Sequence, residues 1–267
     1  MTNTFYSLTW TDVFASLVLV LVSIALLKWW KIGLEKTLLI GTLRTFVQLT
    51  AMGYVLTYFF AQRRWYFMVG LVALMILIAS YEGYRRQRSR VRIPRYFAII
   101  TGVLFVTVAA VLGTVLQFIL HVQPWYYPYA MIPIAGMIIG NALNTASLTV
   151  NRFVGELEHR ESEIELYLSL GAPPRVAVQD ALRESIKAAL LPTVNSMMMV
   201  GLVQLPGVMT GQILSGIDPI IAVRYQIMIM YMWVTASTMT NILVLALVYR
   251  QFFTPRQQLR RELLHHR

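Results

Sequence analysis

Seven stretches of the chain are apolar enough to sit in hydrocarbon and approach the roughly 20 residues of helix that a bilayer crossing needs. They cover residues 8–27, 37–60, 65–81, 96–121, 130–150, 188–204 and 220–249. The first closes on Lys28-Trp29-Trp30-Lys31, a basic and aromatic pattern suited to the headgroup region. The fourth leads to Gln123-Pro124-Trp125-Tyr126-Tyr127-Pro128-Tyr129, an aromatic belt without a Lys or Arg. The sixth is short. Residues 205–218, with Pro206, Gly207, Gly211 and Gly216, then interrupt the pattern, either as a break in a helix or as a re-entrant hairpin. The expectation is an all-α, polytopic integral membrane protein of about seven spans, with residues 1–267 forming one transmembrane domain.

One long interval cannot sit in hydrocarbon. Residues 152–187 hold seven of the chain's 12 acids, together with Arg152, Arg160, Arg175, Arg183 and Lys187. At its centre stands Leu170-Gly171-Ala172-Pro173-Pro174. Gly suits the left-handed position just past a helix end, and Pro suits the first turn of the next helix, so the pattern predicts helix, sharp turn, helix. Phe153, Leu157, Ile164 and Leu168 make one apolar stripe before the turn, and Val178, Leu182, Ile186 and Ala189 make another after it. Periodicity alone leaves two readings open: a solvated helix pair closing a loop, or a lever on which a partner acts.

Charge placement orients the chain. One side receives every Lys and Arg of the 23 except Arg44, Arg63, Arg64 and Arg224, which puts the charged elbow and the basic tail in the cytoplasm and the N-terminus outside. The net charge of +11 therefore reads as helix-end bias toward anionic headgroups, not as a nucleic-acid footprint. With 57% hydrophobic and 13% charged residues, this is not the composition of a soluble domain. The absence of cysteine removes disulfides and thiolate metal sites. The first 11 residues carry no Lys or Arg, so the basic start of a cleavable signal peptide is not expected.

Candidate chemistry within the spans is sparse. Gly136 and Gly140 form G-x-x-x-G, which favours close helix packing. Asn141 and Asn144 follow; at membrane depth they either bond between helices or line a cavity. Asn195, Met198, Gln204 and Met209 are further candidates for a translocation pathway, and Pro192, Pro206, Gly207 and Gly211 for a hinge or gate. Thioethers suit soft metals, but the 14 Met are read first as pliable core filler. His121, His265 and His266 have no zinc-like ligand set, and no paired carboxylates or Ser/His constellation lies within the spans, so an enzyme is not expected. Arg44, eight residues into the second span, either finds a partner at depth or snorkels to the headgroups, and snorkelling is favoured. Asp218 and Arg224 on the outer side are read first as exposed charges of little consequence, and otherwise as an ion pair or an exit guard. No G-x-x-x-x-G-K-[ST] loop is present, so any ATP that powers the protein is bound by another chain.

The run Glu165-x-x-x-x-Leu170-Gly171-Ala172-x-Pro174 resembles the cytoplasmic coupling loop of ABC-transporter permeases. Residues 131–141, 188–193, 201–212 and 222–228 (MIPIAGMIIGN, AALLPT, GLVQLPGVMTGQ and AVRYQIM) are similar, in order, to the signature blocks of the FetB-type iron-export permeases. That family is related to the plant aluminium-resistance ABC permeases. The resemblance implies a homodimer in the inner (plasma) membrane, coupled to separately encoded cytoplasmic ATPase subunits that bind ATP and Mg, and exporting a metal, iron by family likeness. It assigns ATPase coupling to Glu165, Leu170, Gly171, Ala172, Pro173, Pro174 and Arg175. The block Asn195-Ser196-Met197-Met198-Met199 departs from the family pattern, which leaves another cargo open. The alternative reading is an ATP-independent channel or secondary transporter for a metal or small solute.

Overall fold

The computed structural model describes residues 9–61, 64–88 and 91–264. These form helices joined by short turns, with isolated bridges at Val200–Gln204 and Phe253–Leu259. The first helices, α1 (Trp10–Ala15) and α2 (Leu17–Trp29), make a nearly continuous apolar rod. Its start is fixed by Thr9, whose backbone N–H donates to Asp12 Oδ2 at 2.8 Å. Then α3 (Glu35–Ala61) folds back along the rod, the Phe14 and Phe46 rings lying 5.8 Å apart. The chain continues through α4 (Trp65–Arg88) and α5 (Tyr96–Thr114), which ends in a π-helical turn at Val115–Ile119. The long α6 (Pro128–His159) starts on a proline. After it come α7 (Glu161–Ser169), α8 (Pro174–Ala177), α9 (Gln179–Met199), α10 (Gly207–Leu214) and α11 (Pro219–Val248).

The core lies where α4, α5, α6 and α11 meet. On α6 the buried positions Ala135, Ile138, Ala142, Ala146, Val150, Phe153 and Leu157 recur every three to four residues. Three of them are alanines, small enough to let α4 and α11 approach closely. Asn141 bonds Ser237 and the Phe153 ring meets the Phe252 ring 5.9 Å away, so α6 and α11 run in the same direction. The chain between them must therefore return across the full depth of the bundle.

That return explains the short sixth span. Six helices among the described residues are long and apolar enough to cross a membrane, and the segment at 188–204 is not one of them. The helix α9 begins outside the apolar zone with Asp180, Arg183, Glu184 and Lys187, and it stops at Met199. A turn follows, in which Gly201 takes φ of +83° and Gln204 N–H bonds Met199 O at 3.3 Å, and α10 resumes at Gly207. The interruption at 205–218 is thus a turn followed by a short helix and the capped start of α11.

No residue of α1 or α2 is buried, and apolar side chains such as Leu19 and Leu21 face outward along the rod. Such faces are stable only against lipid or another chain. Arg44 departs from the favoured reading: its Nη1 lies 3.6 Å from Glu82 Oε1, which gives it the partner that its depth left open. The helix α4 continues past residue 81 to Arg88, which keeps Glu82 within the helix and in reach of Arg44 on α3. Asp218 also differs. It caps α11, its Oδ1 accepting from Ile220 N–H at 2.8 Å. Arg63, Arg90, His265 and His266 lie outside the described residues.

Candidate functional site

The elbow is built as helix, left-handed glycine, proline start. Past the end of α7, Gly171 adopts φ of +84°. Its N–H donates to Leu168 O and the N–H of Ala172 to Tyr167 O, both at 3.0 Å, which satisfies the last carbonyls of the helix. A side chain at 171 would meet nothing within 4 Å, so glycine is needed there for its backbone, not for space. Pro173, extended at ψ of 150°, then leads into Pro174 at the first position of α8. The underside is anchored by Ile164, Ala177 and Val178, all buried. The upper side presents Leu166, Leu170 and Val176, with Leu170 76% exposed. Glu165 and Arg175 flank that apolar tip.

The C-terminal segment folds back under the elbow, an arrangement not anticipated from its basic composition. Phe252, Phe253 and Leu264 are buried, and Arg260 N–H bonds Phe252 O at 2.8 Å to close the loop. Arg261 then contacts both Glu161 and Glu165. The hydrogen bond from Arg261 holds the Glu165 carboxyl below the usual carboxylate range, and the pairing raises the Arg261 guanidinium further. A groove of about 580 Å³ separates this segment from Gly171 and Ala172. The signals were the apolar pairs Phe252-Phe253 and Leu263-Leu264 within a basic tail.

A second feature lies deeper. Between α6, α9 and α11 is a cleft of about 300 Å³ lined by Asn141, Asn144, Thr145, Pro192, Ser196, Trp233 and their neighbours. Asn141 Nδ2 donates to Ser237 Oγ at 2.7 Å and to Trp233 O at 3.3 Å, which ties α6 to α11. Asn144 Oδ1 accepts from Arg86 Nη1 at 3.3 Å. Arg86 also lies 3.5 Å from Glu82, which meets Arg44. A polar chain thus runs from α3 through α4 to the cleft. Glu82, Trp233 and Ser237 were not singled out from sequence, Arg86 stood there only as one of a run of cytoplasmic cations, and Ser196 only within the block 195–199 that departs from the family pattern.

The structure brings Asn141, Asn144 and Pro192 together and keeps the other pathway candidates apart from them. Asn195 and Met198 are exposed on α9, off its buried stripe Ala181, Ser185, Ala189 and Thr193, and neither lines the cleft. Gln204 is exposed in the turn, Pro206 caps the start of α10, and Gly207, Met209 and Gly211 lie within it; none of these lines the cleft. A Cβ at Gly136 would approach Met75 Cε at 3.3 Å, and one at Gly140 would meet nothing within 4 Å. The closest glycine contact is instead at Gly83, where a Cβ would fall 2.6 Å from Leu143 Cδ1. Among the described residues, no group of three or more His, Cys, Asp or Glu could hold a metal ion.

Comparison with known proteins accords with this architecture. The chain is 39% identical over 97% of its length to the UPF0014 membrane protein slr1647 of Synechocystis sp., of which it covers 99%. It is 36% identical to the probable iron export permease protein FetB of Escherichia coli, covering 91% of this chain and 92% of that one. To the protein ALUMINUM SENSITIVE 3 of Arabidopsis thaliana it is 32% identical, over 92% of this chain and 88% of that one. No solved structure matches. Residues 10–253 match the uncharacterised protein family UPF0014, and the chain belongs to that family of multi-pass membrane proteins.

Proposed function

We propose that this chain is the membrane-spanning subunit of an ABC exporter in the inner (plasma) membrane, moving a metal ion out of the cytoplasm. ATP and Mg are bound and the ATP hydrolysed by a separate cytoplasmic subunit, and two copies of the chain enclose the pathway. Iron is the favoured cargo because the Escherichia coli relative is named a probable iron export permease. The observation that carries the reading is the elbow. An apolar tip at Leu166, Leu170 and Val176 stands among charged residues at a helix turn, an arrangement that suits a protein partner docking there.

The mechanism follows from how the elbow is attached. A push on residues 170–175 is transmitted into α9, which runs unbroken from Gln179 to Met199. One wall of the Asn141 and Asn144 cleft is formed by α9 through Pro192 and Ser196. Pro192 lacks the N–H that would bond the preceding turn, so α9 can bend there at low cost. Nucleotide-driven closure of the ATPases thereby biases a two-state arrangement of α9 against α6.

The test is to purify the chain with its cognate ATPase and measure substrate-stimulated ATP turnover. Gly171→Arg combined with Pro174→Ala is expected to abolish the stimulation while the protein stays folded. Unchanged stimulation sinks the lever.

A further inference from the structure

On the elbow side of the bundle, α9 and the end of α11 diverge and leave a cleft of about 550 Å³. Its polar end carries Arg175, Arg183 and Arg250, and no Asp or Glu lines it. Toward the middle of the bundle the wall becomes Ile186, Ile242 and Leu245. Cationic rim and apolar wall lie about one turn, roughly 5 Å, apart on α9 (Arg183 to Ile186) and about one and a half to two turns, roughly 8–12 Å, apart on the α11 side (Arg250 to Leu245 and Ile242). Tyr249-Arg250, following 30 residues of largely apolar helix, marks the headgroup level on α11. Among the described residues Arg175 and Arg250 form no ion pair, and Arg183 reaches only Asp180 at 3.9 Å.

We propose that this cleft binds an anionic phospholipid, with the phosphate between Arg175 and Arg250, Arg183 alongside, and the first acyl methylenes on Ile186, Ile242 and Leu245. A basic pocket between membrane helices at headgroup depth has the chemistry that anionic headgroups require. A soluble anion would use the rim and leave the apolar wall unused. A zwitterionic lipid would gain little from three guanidinium groups. A cytosolic protein could not reach Ile242 at its depth in the bundle. The inference goes beyond the transport reading and does not depend on the cargo or on the ATPase. It has one consequence for that reading: the lipid links the lever helix α9 to α11.

Ile242, half-exposed on the apolar wall, is the reporter position. The full chain carrying Ile242→p-benzoylphenylalanine is reconstituted into vesicles of equimolar phosphatidylglycerol and phosphatidylcholine, irradiated, and its lipid adducts counted by mass spectrometry. Phosphatidylglycerol adducts are expected to exceed phosphatidylcholine adducts by about fivefold or more, since each basic residue near a charged headgroup is worth about that factor. Arg175→Gln with Arg250→Gln, both exposed positions, should bring the ratio near unity while the protein still elutes as a folded species. A ratio near unity in the parent chain overturns the proposal, and that arm decides the matter even where the double variant fails to fold. A preference that persists in the folded double variant overturns it too. So does a preference abolished by millimolar inorganic phosphate but not by chloride of matched ionic strength, which would assign the rim to a soluble anion.

Discussion

Arg261 reaches from the C-terminal segment to Glu165 on α7, its Nε–H donating to Oε1 at 2.6 Å, and the same nitrogen lies 2.9 Å from Glu161 Oε1. The end of the chain thus clasps the helix that leads into the elbow. Both groups are largely solvated, so the clasp positions α7 more than it stabilises the fold. Arg261→Ala should leave thermal unfolding nearly unchanged but expose the turn. Trypsin cleavage after Arg175 is expected to accelerate several-fold, and an unchanged rate would contradict the clasp.

The same contact gives a pH dependence with a definite sign. Arg261 holds the Glu165 carboxyl below its ordinary value of 4.5, so the folded state favours the ionised form. The clasp is fully formed above that ordinary value and is lost as pH falls through the lower folded one. Spin labels replacing the exposed Tyr167 and Gln257 should report a single narrow distance from neutral pH down to about 4.5, broadening below it. A distribution that broadens already near neutrality would show that Glu165 does not set the contact.

Glu82 sits between Arg44 on α3 and Arg86 on α4, and removing it leaves two guanidinium groups facing each other near the bilayer. Glu82→Gln and Arg44→Leu are each expected to destabilise the protein. A double-mutant cycle read by unfolding in mixed detergent should give a coupling of about 0.5–1 kcal/mol, the scale of polar contacts between membrane helices. Strict additivity would mean that the pair contributes nothing to holding α3 on α4.

Two glycines are expected to behave differently. Gly83→Ala places a methyl group against Leu143, which is itself buried, and should cost about 1–3 kcal/mol of stability as that side chain is displaced. Gly140→Ala meets open space and should be neutral or slightly stabilising in the isolated protomer. Equal effects at the two positions would show that α4 and α6 do not approach as described.

Asn141 and Asn144, three residues apart, also separate by role. Asn141 ties α6 to α11 through Ser237, so Asn141→Ala should cost about 1 kcal/mol of stability. Asn144 lines the cleft and bonds the exposed Arg86, so Asn144→Ala should lower transport while leaving unfolding within about 0.5 kcal/mol of the parent. Loss of stability at 144 with transport intact would reverse the assignment.

These positions also show what a sequence can reveal of such a protein. The elbow was legible because its turn is written in local chemistry. Gly171 needs a left-handed backbone, Pro174 fits a first turn, and Phe153, Leu157 and Ile164 of the first stripe are buried, whereas of the second stripe only Val178 and Ala189 are, Leu182 and Ile186 lying half-buried beside the true buried face of α9. The helical membrane architecture was legible for a similar reason, since hydropathy and span length are properties of continuous segments. Contacts between distant segments were not. Arg44 with Glu82, Arg86 with Asn144 and Arg261 with Glu165 depend on helix rotation and on where helices end, which apolar spans specify weakly. The division of pathway candidates was hidden likewise: Asn195 and Ser196 are adjacent in the chain, yet only Ser196 faces the cleft.

The central claim is that this protein supplies a pathway and a handle while the energy comes from a cytosolic partner. Its most direct test is metal flux across proteoliposomes containing the chain alone, or the chain with its ATPase, each with and without ATP. The account predicts flux only when chain, ATPase and ATP are all present. Flux by the isolated chain in nucleotide-free vesicles, at a rate comparable to the complete system, would contradict it.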